Sequence, residues 1–134
     1  MAHYSILVAD DDARCRESIR EVLDRAGMDT FTASCGAEAL EIVQVHHRRI
    51  HATILDMHMP DLTGLETLAA MFRIVDRLPA ILVTAERSKE LLTKAMEAGV
   101  FAMLNKPLSS GLMVVTLKQL LIKYYGEGRE ERDA

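Results

Sequence analysis

Four short apolar runs punctuate this chain, each ending in polar residues, and the helical spacing between them leaves few folds open. Ile6-Leu7-Val8-Ala9 runs into Asp10-Asp11-Asp12, and Ala52-Thr53-Ile54-Leu55 runs into Asp56. Ala80-Ile81-Leu82-Val83 stops at Thr84, and Phe101-Ala102-Met103-Leu104-Asn105 stops at Lys106. Solidly apolar runs of this length, bounded by turn residues, read as strands buried on both faces. Cys15, Ile19, Val22, Leu23 and Ala26 recur on one helix face over about residues 13–26, with Gly27 as the stop. Asp29-Thr30-Phe31-Thr32-Ala33 mixes polar and apolar positions, which predicts a less buried strand at the sheet edge. Ala39, Leu40 and Val43 mark a second helix over 36–46, and Leu65, Leu68, Ala69 and Phe72 a third. Leu92, Ala95 and Met96 mark a fourth, ending near Gly99, and a fifth runs from Ser109 to about Tyr125. Strands alternating with helices predict an α/β fold, a parallel sheet covered on both faces.

At 134 residues the chain accommodates one domain and no second folded module. A net charge of -4 with scattered Lys and Arg predicts no direct nucleic acid binding, which needs clustered cations. No stretch reaches the roughly 20 apolar residues of a membrane span, and the start of the chain lacks a basic flank with a long apolar core. A cytoplasmic protein is therefore expected. Cys15 and Cys35 lack metal-type spacing and read as reduced packing residues. The last helix is apolar over more than one face, with Leu112, Met113, Val114, Val115, Leu117, Leu120, Leu121 and Ile122. Two readings stay open for it, a greasy surface and a partner interface. The interface reading predicts that Met113, Leu120 and Ile122 bury against a second copy, giving a homodimer, or against a target. Residues 126–134 read as a polar tail or the start of a linker.

The carboxyl ends of parallel strands share one sheet edge, where open α/β sheets bind ligands. That edge would gather Asp10, Asp11, Asp56, Thr84 and Lys106. Unit negative charges 4 Å apart repel by roughly 4 kcal/mol at an effective dielectric near 20, so adjacent carboxylates call for a cation. Oxygen-only ligands facing water favour Mg²⁺. Taken alone, Asp10-Asp11-Asp12 is equally well a helix N-cap with favourable charge. Asp56, followed by a loop punctuated by Pro60 and Gly64, is placed to act as a nucleophile toward phosphorus, giving an acyl phosphate. Lys106 supplies a point charge for phosphate oxygens and Thr84 a hydroxyl, with the Met57 and Ala85 N–H groups completing a cradle.

In order and spacing, Ile6-Leu7-Val8-Ala9-Asp10-Asp11, Leu55-Asp56-Met57-His58-Met59-Pro60, Thr84-Ala85 and Lys106-Pro107 resemble the receiver domain of two-component response regulators. The resemblance covers residues 4–125. It implies a doubly wound, flavodoxin-like α/β/α sandwich whose five-stranded sheet has the order 2-1-3-4-5. It implies Asp56 as phosphoacceptor from a sensor histidine kinase or a histidine phosphotransferase, in a phosphorylation-controlled switch. Asp11, Asp56 and the His58 backbone carbonyl become Mg²⁺ ligands, with Asp10 as the second acidic residue of that set. Thr84 becomes the hydroxyl that follows the phosphoryl group, and Lys106 its charge partner. His58 and Glu86, two residues after Asp56 and Thr84, become modulators of hydrolysis, and Lys106-Pro107 a cis bond. No catalysis is implied beyond the domain's own phosphorylation and dephosphorylation.

Three positions depart from the family pattern. Met103 stands where an aromatic usually precedes the lysine, Leu108 replaces a common Phe, and Thr63 a common Asp. Met103 thus bears on the conformational coupling and leaves the acceptor chemistry intact. Phe101 does not inherit the aromatic's role, since it would share that side only under strict strand alternation. His3, His46, His47 and His51 lack helical ligand spacing and read as solvated. Two alternatives stand beside the switch. A haloacid dehalogenase-type phosphatase would need a second Asp where His58 sits. A receiver that only binds proteins would need no acidic pair, Thr84 or Lys106.

Overall fold

The computed structural model describes residues 3–126 as five strands alternating with five helices. The strands are β1 (Ser5–Ala9), β2 (Asp29–Ala33), β3 (Ala52–Asp56), β4 (Ala80–Thr84) and β5 (Ala102–Asn105). The helices are α1 (Ala13–Arg25), α2 (Gly36–His46), α3 (Gly64–Met71), α4 (Lys89–Glu97) and α5 (Ser110–Tyr125). All strands pair in parallel in the order β2-β1-β3-β4-β5, the doubly wound order that the resemblance implies. β1, β3 and β4 are buried at every position, whereas edge strand β2 is buried only at Ala33. Of the expected tail, residues 127–134 lie outside the described residues.

Strand alternation sorts the core into two layers. Ile6, Val8, Ile54, Ile81, Val83 and Leu104 pack with Ile19 and Leu23 of α1 and with Met113, Leu117 and Leu120 of α5. On the other face Leu7, Ala9, Leu55, Ala80 and Leu82 meet Ala39 and Val43 of α2, Leu68 and Met71 of α3, and Ala95 of α4. Helix ends follow local chemistry. Asp12 caps α1 through Arg14 and Cys15 N–H groups, and Thr63 with Glu66 forms a reciprocal capping box on α3. Gly27, at φ +80°, takes the left-handed turn after α1.

Two helix faces differ from the sequence expectation. On α4 the buried residues are Leu91 and Ala95, while Leu92 and Met96 are exposed. On α5, Met113 and Leu120 belong to the core, so neither is available to a second copy, and the exposed apolar residues are Leu112, Val115 and Ile122. His51 is not a solvated side chain either. Its Nδ1 accepts the Ser5 N–H at 3.0 Å, and its ring meets Tyr4 and Tyr125 edge-on. The Tyr125 hydroxyl donates to the His51 carbonyl at 2.6 Å, fastening the end of α5 to the start of β3. His46 stacks on Phe31 rather than standing in water. No helix among the described residues is long and apolar enough to cross a membrane.

Candidate functional site

Each predicted polar residue lies at the carboxyl end of a strand because the apolar run before it is locked into the sheet. Asp10 follows β1, its N–H bound to the Ala33 carbonyl at 3.1 Å, and it is only 2% exposed. Asp56 is the last residue of β3, 5% exposed, paired in register with Val83. Thr84 ends β4 fully buried, and Lys106 follows β5 with its N–H on the Thr84 carbonyl at 2.9 Å. Lys106-Pro107 is cis, as the resemblance implies.

The acidic triplet divides its labour. Asp12 serves as the α1 cap, accepting the Arg14 N–H at 2.9 Å. Asp10 turns inward, its Oδ1 accepting the Asp12 N–H at 2.9 Å. Carboxylate oxygens of Asp10, Asp11 and Asp56 lie within 4.8 Å of one another, with Asp11 on the exposed side. Lys106 Nζ reaches between them, 3.3 Å from Asp56 Oδ2 and 3.5 Å from Asp10 Oδ2. Burial, then the Asp10 charge, push the Asp56 carboxyl above its ordinary pKa, against the pull of Lys106. Burial works against the Lys106 ammonium, yet Asp10 and Asp56 outweigh it and raise its pKa. The cluster thus carries more negative charge than one ammonium neutralises. The Cys15 thiol beside it is pushed up to about 12 by burial and by its hydrogen bond to Asp10, so it stays protonated and inert.

Loops complete the edge. The Met57 N–H donates to the Val83 carbonyl and the Gly64 N–H to the Met57 carbonyl, both at 2.8 Å, closing the loop after β3. A Cβ on Gly64 would stand 2.7 Å from the Asp56 carbonyl oxygen, so only glycine admits this approach. Thr84 Oγ1 accepts the Glu86 N–H at 3.0 Å. Across the mouth His58 Nε2 and Glu86 Oε1 lie 3.6 Å apart, both side chains substantially exposed. Met103 lies apart from the cluster, packed against the core layer of Leu82, its register partner. Phe101 packs instead in the opposite layer, where it meets Tyr124 of α5.

Three residues here carry no one-dimensional signal. Arg16 Nη1 donates to the Asp10 carbonyl at 2.7 Å. Asn105 Nδ2 donates to the carbonyls of Thr84 and Glu86, at 3.2 and 3.0 Å, tying the loop after β4 to β5. Asp61 binds the start of α2. Only the polar residue after an apolar strand is marked in sequence, and these three lie on a helix, in a loop and inside a strand end.

The family model described as the response regulator receiver domain matches residues 6–118. The chain belongs to the response regulator receiver family. Response regulator MprA of Mycobacterium sp. (strain KMS) is 34% identical over 116 residues, covering 87% of this chain and 50% of the relative. The receiver therefore spans about half the length of the curated relatives it matches. Chemotaxis protein CheY4 of Vibrio cholerae, crystallised at low pH, superposes with a TM-score of 0.83 at 30% identity, over 90% of this chain and all of that one. A receiver domain protein from Clostridium thermocellum gives 0.84 at 28%, over 90% and 95% of the two chains. These relatives leave neither the phosphatase nor the binding-only reading favoured.

Proposed function

We propose that this receiver, with residues 4–125 as its switching unit, takes a phosphoryl group onto Asp56 from the phosphohistidine of a sensor histidine kinase or histidine phosphotransferase. The observation that carries the proposal is Lys106 held against both Asp56 and Asp10 at one sheet edge. An Asp56 carboxylate oxygen attacks phosphorus, the new O–P bond forms as the N–P bond breaks, and the imidazole leaves with the bonding electron pair. Hydrolysis ends the phosphorylated state: water attacks phosphorus, the bond to the Asp56 oxygen breaks, the carboxylate departs with the electron pair, and inorganic phosphate is released with the proton of the water. Lys106 neutralises phosphoryl oxygens, and Thr84 turns its hydroxyl from the Glu86 N–H toward them.

The donor set fits Mg²⁺. Its members are hard oxygens, close enough to share one ion and too negative for Lys106 alone. Asp11, Asp56 and the His58 carbonyl would hold it, with Asp10 beside them, and when bound it supplies neutralising charge to the phosphoryl oxygens. Intact-mass measurement after treatment with acetyl phosphate and Mg²⁺ tests the reading. The expected result is one phosphoryl adduct that needs Mg²⁺ and vanishes in Asp56→Asn. No adduct on the native chain, or one retained in the variant, overturns it.

A further inference from the structure

Helix α2 starts without help from its own N-cap, since the Cys35 side chain makes no capping bond. The cap comes from the loop that follows the phosphoacceptor. Asp61 Oδ1 accepts the Gly36 N–H at 2.9 Å, and Oδ2 accepts the Ala37 N–H at 2.8 Å. The same carboxylate takes the Leu62 N–H of its own loop at 2.8 Å. These backbone donors hold its pKa down to about 2, so it is ionised across the working range of pH. The two parts are also in close contact. A Cβ on Gly36 would lie 2.6 Å from Thr67 Oγ1 and 2.9 Å from Leu62 Cβ. Helix start and loop therefore form one packed joint, closed by charge-assisted hydrogen bonds.

His58 lies three residues before Asp61 in this loop, and its carbonyl is the one backbone ligand of the proposed Mg²⁺ set. Mg²⁺ demands near-ideal octahedral geometry at about 2.1 Å, so a contact that steadies this loop also steadies its backbone ligand. We propose that Asp61 is a positioning residue, which clamps the loop after β3 to the N-terminus of α2 and so fixes the reach of the His58 carbonyl toward Asp11 and Asp56. This rests on the Mg²⁺ reading of the site. It assigns Asp61 a part in cation binding although its contacts are all with backbone N–H groups.

The test separates the clamp from a helix cap. Calorimetric titration of the full chain with Mg²⁺ is run well below the melting temperature of every variant. Asp61→Ala should bind about tenfold more weakly, the usual cost of losing a group that orients a ligand, and should melt at a lower temperature. Asp61→Asn, which keeps one acceptor oxygen, should fall between it and the native chain. Adding Cys35→Ser to Asp61→Ala supplies a hydroxyl cap for α2 without retying the loop, so melting should recover while Mg²⁺ affinity stays low. Native affinity in Asp61→Ala, or affinity that recovers together with melting in the double variant, overturns the clamp. A native chain that binds no Mg²⁺ removes the reading of the site and the clamp with it, whereas native Mg²⁺ binding with unaffected variants removes the clamp alone.

Discussion

His58 and Glu86 approach each other to 3.6 Å with both side chains substantially exposed, and we propose that they meet the water that attacks a phosphoryl group on Asp56. In that role they would act on the water rather than on the cation. His58→Ala and Glu86→Ala should each change the lifetime of the acyl phosphate by about tenfold or less while leaving the Mg²⁺ dissociation constant near its native value. Decay of the mass adduct with time reads this, and unchanged lifetimes in both variants would dismiss the idea. Asp61 makes a separate prediction in pH. Its folded pKa, about 2, lies below the ordinary 3.8, so its stabilisation is complete above about pH 4 and is lost as the pH falls through 2. The melting difference between the native chain and Asp61→Ala should accordingly be flat from neutral pH to about 5 and narrow toward pH 2. A difference that grows on acidification would contradict the capping carboxylate. Asp56 and Lys106 were legible in sequence because an apolar run fixes where each strand ends, and chemistry is then read from the next residue. Asp61 was not, because its partners on α2 are backbone groups 24 and 25 residues away, and N–H groups leave no mark in composition.

Helical period gives the width of an apolar face but not its direction when apolar residues are adjacent. On α4, Leu91 with Ala95 and Leu92 with Ala95 both satisfy helical spacing, and the sheet selects the first pair. On α5 the same ambiguity hid which of the many apolar residues are core. A pair of substitutions separates them. Leu120→Ala, at a fully buried site, should cost about 2–5 kcal/mol in denaturant unfolding. Ile122→Ala, on the outer face, should cost no more than about 0.5 kcal/mol. Comparable losses at the two sites would mean that the outer face is covered in solution. The fifth strand is the least legible, since apolarity alone places Phe101 in it, yet β5 begins at Ala102 and Phe101 turns to the α5 side.

Across the molecule, chemistry collects at the carboxyl edge of the sheet, and the opposite edge holds the Tyr4, His51 and Tyr125 aromatic cluster. We propose that a signal raised at Asp56 reaches α4, β5 and α5 through the packed layer that contains Leu82 and Met103. With beryllofluoride as phosphoryl mimic, amide shifts over α4, β5 and α5 should be smaller in the native protein than in Met103→Tyr, since a ring defines its two seats more sharply than a thioether. Equal shifts in the two proteins would show that Met103 transmits as an aromatic does. Met103 pairs in register with Leu82, two residues before Thr84 on the same strand, and its side chain has three soft torsions. Compliance at that joint would act as a damper, so that the proposed response on α4, β5 and α5 is graded in amplitude rather than a jump between two fixed positions.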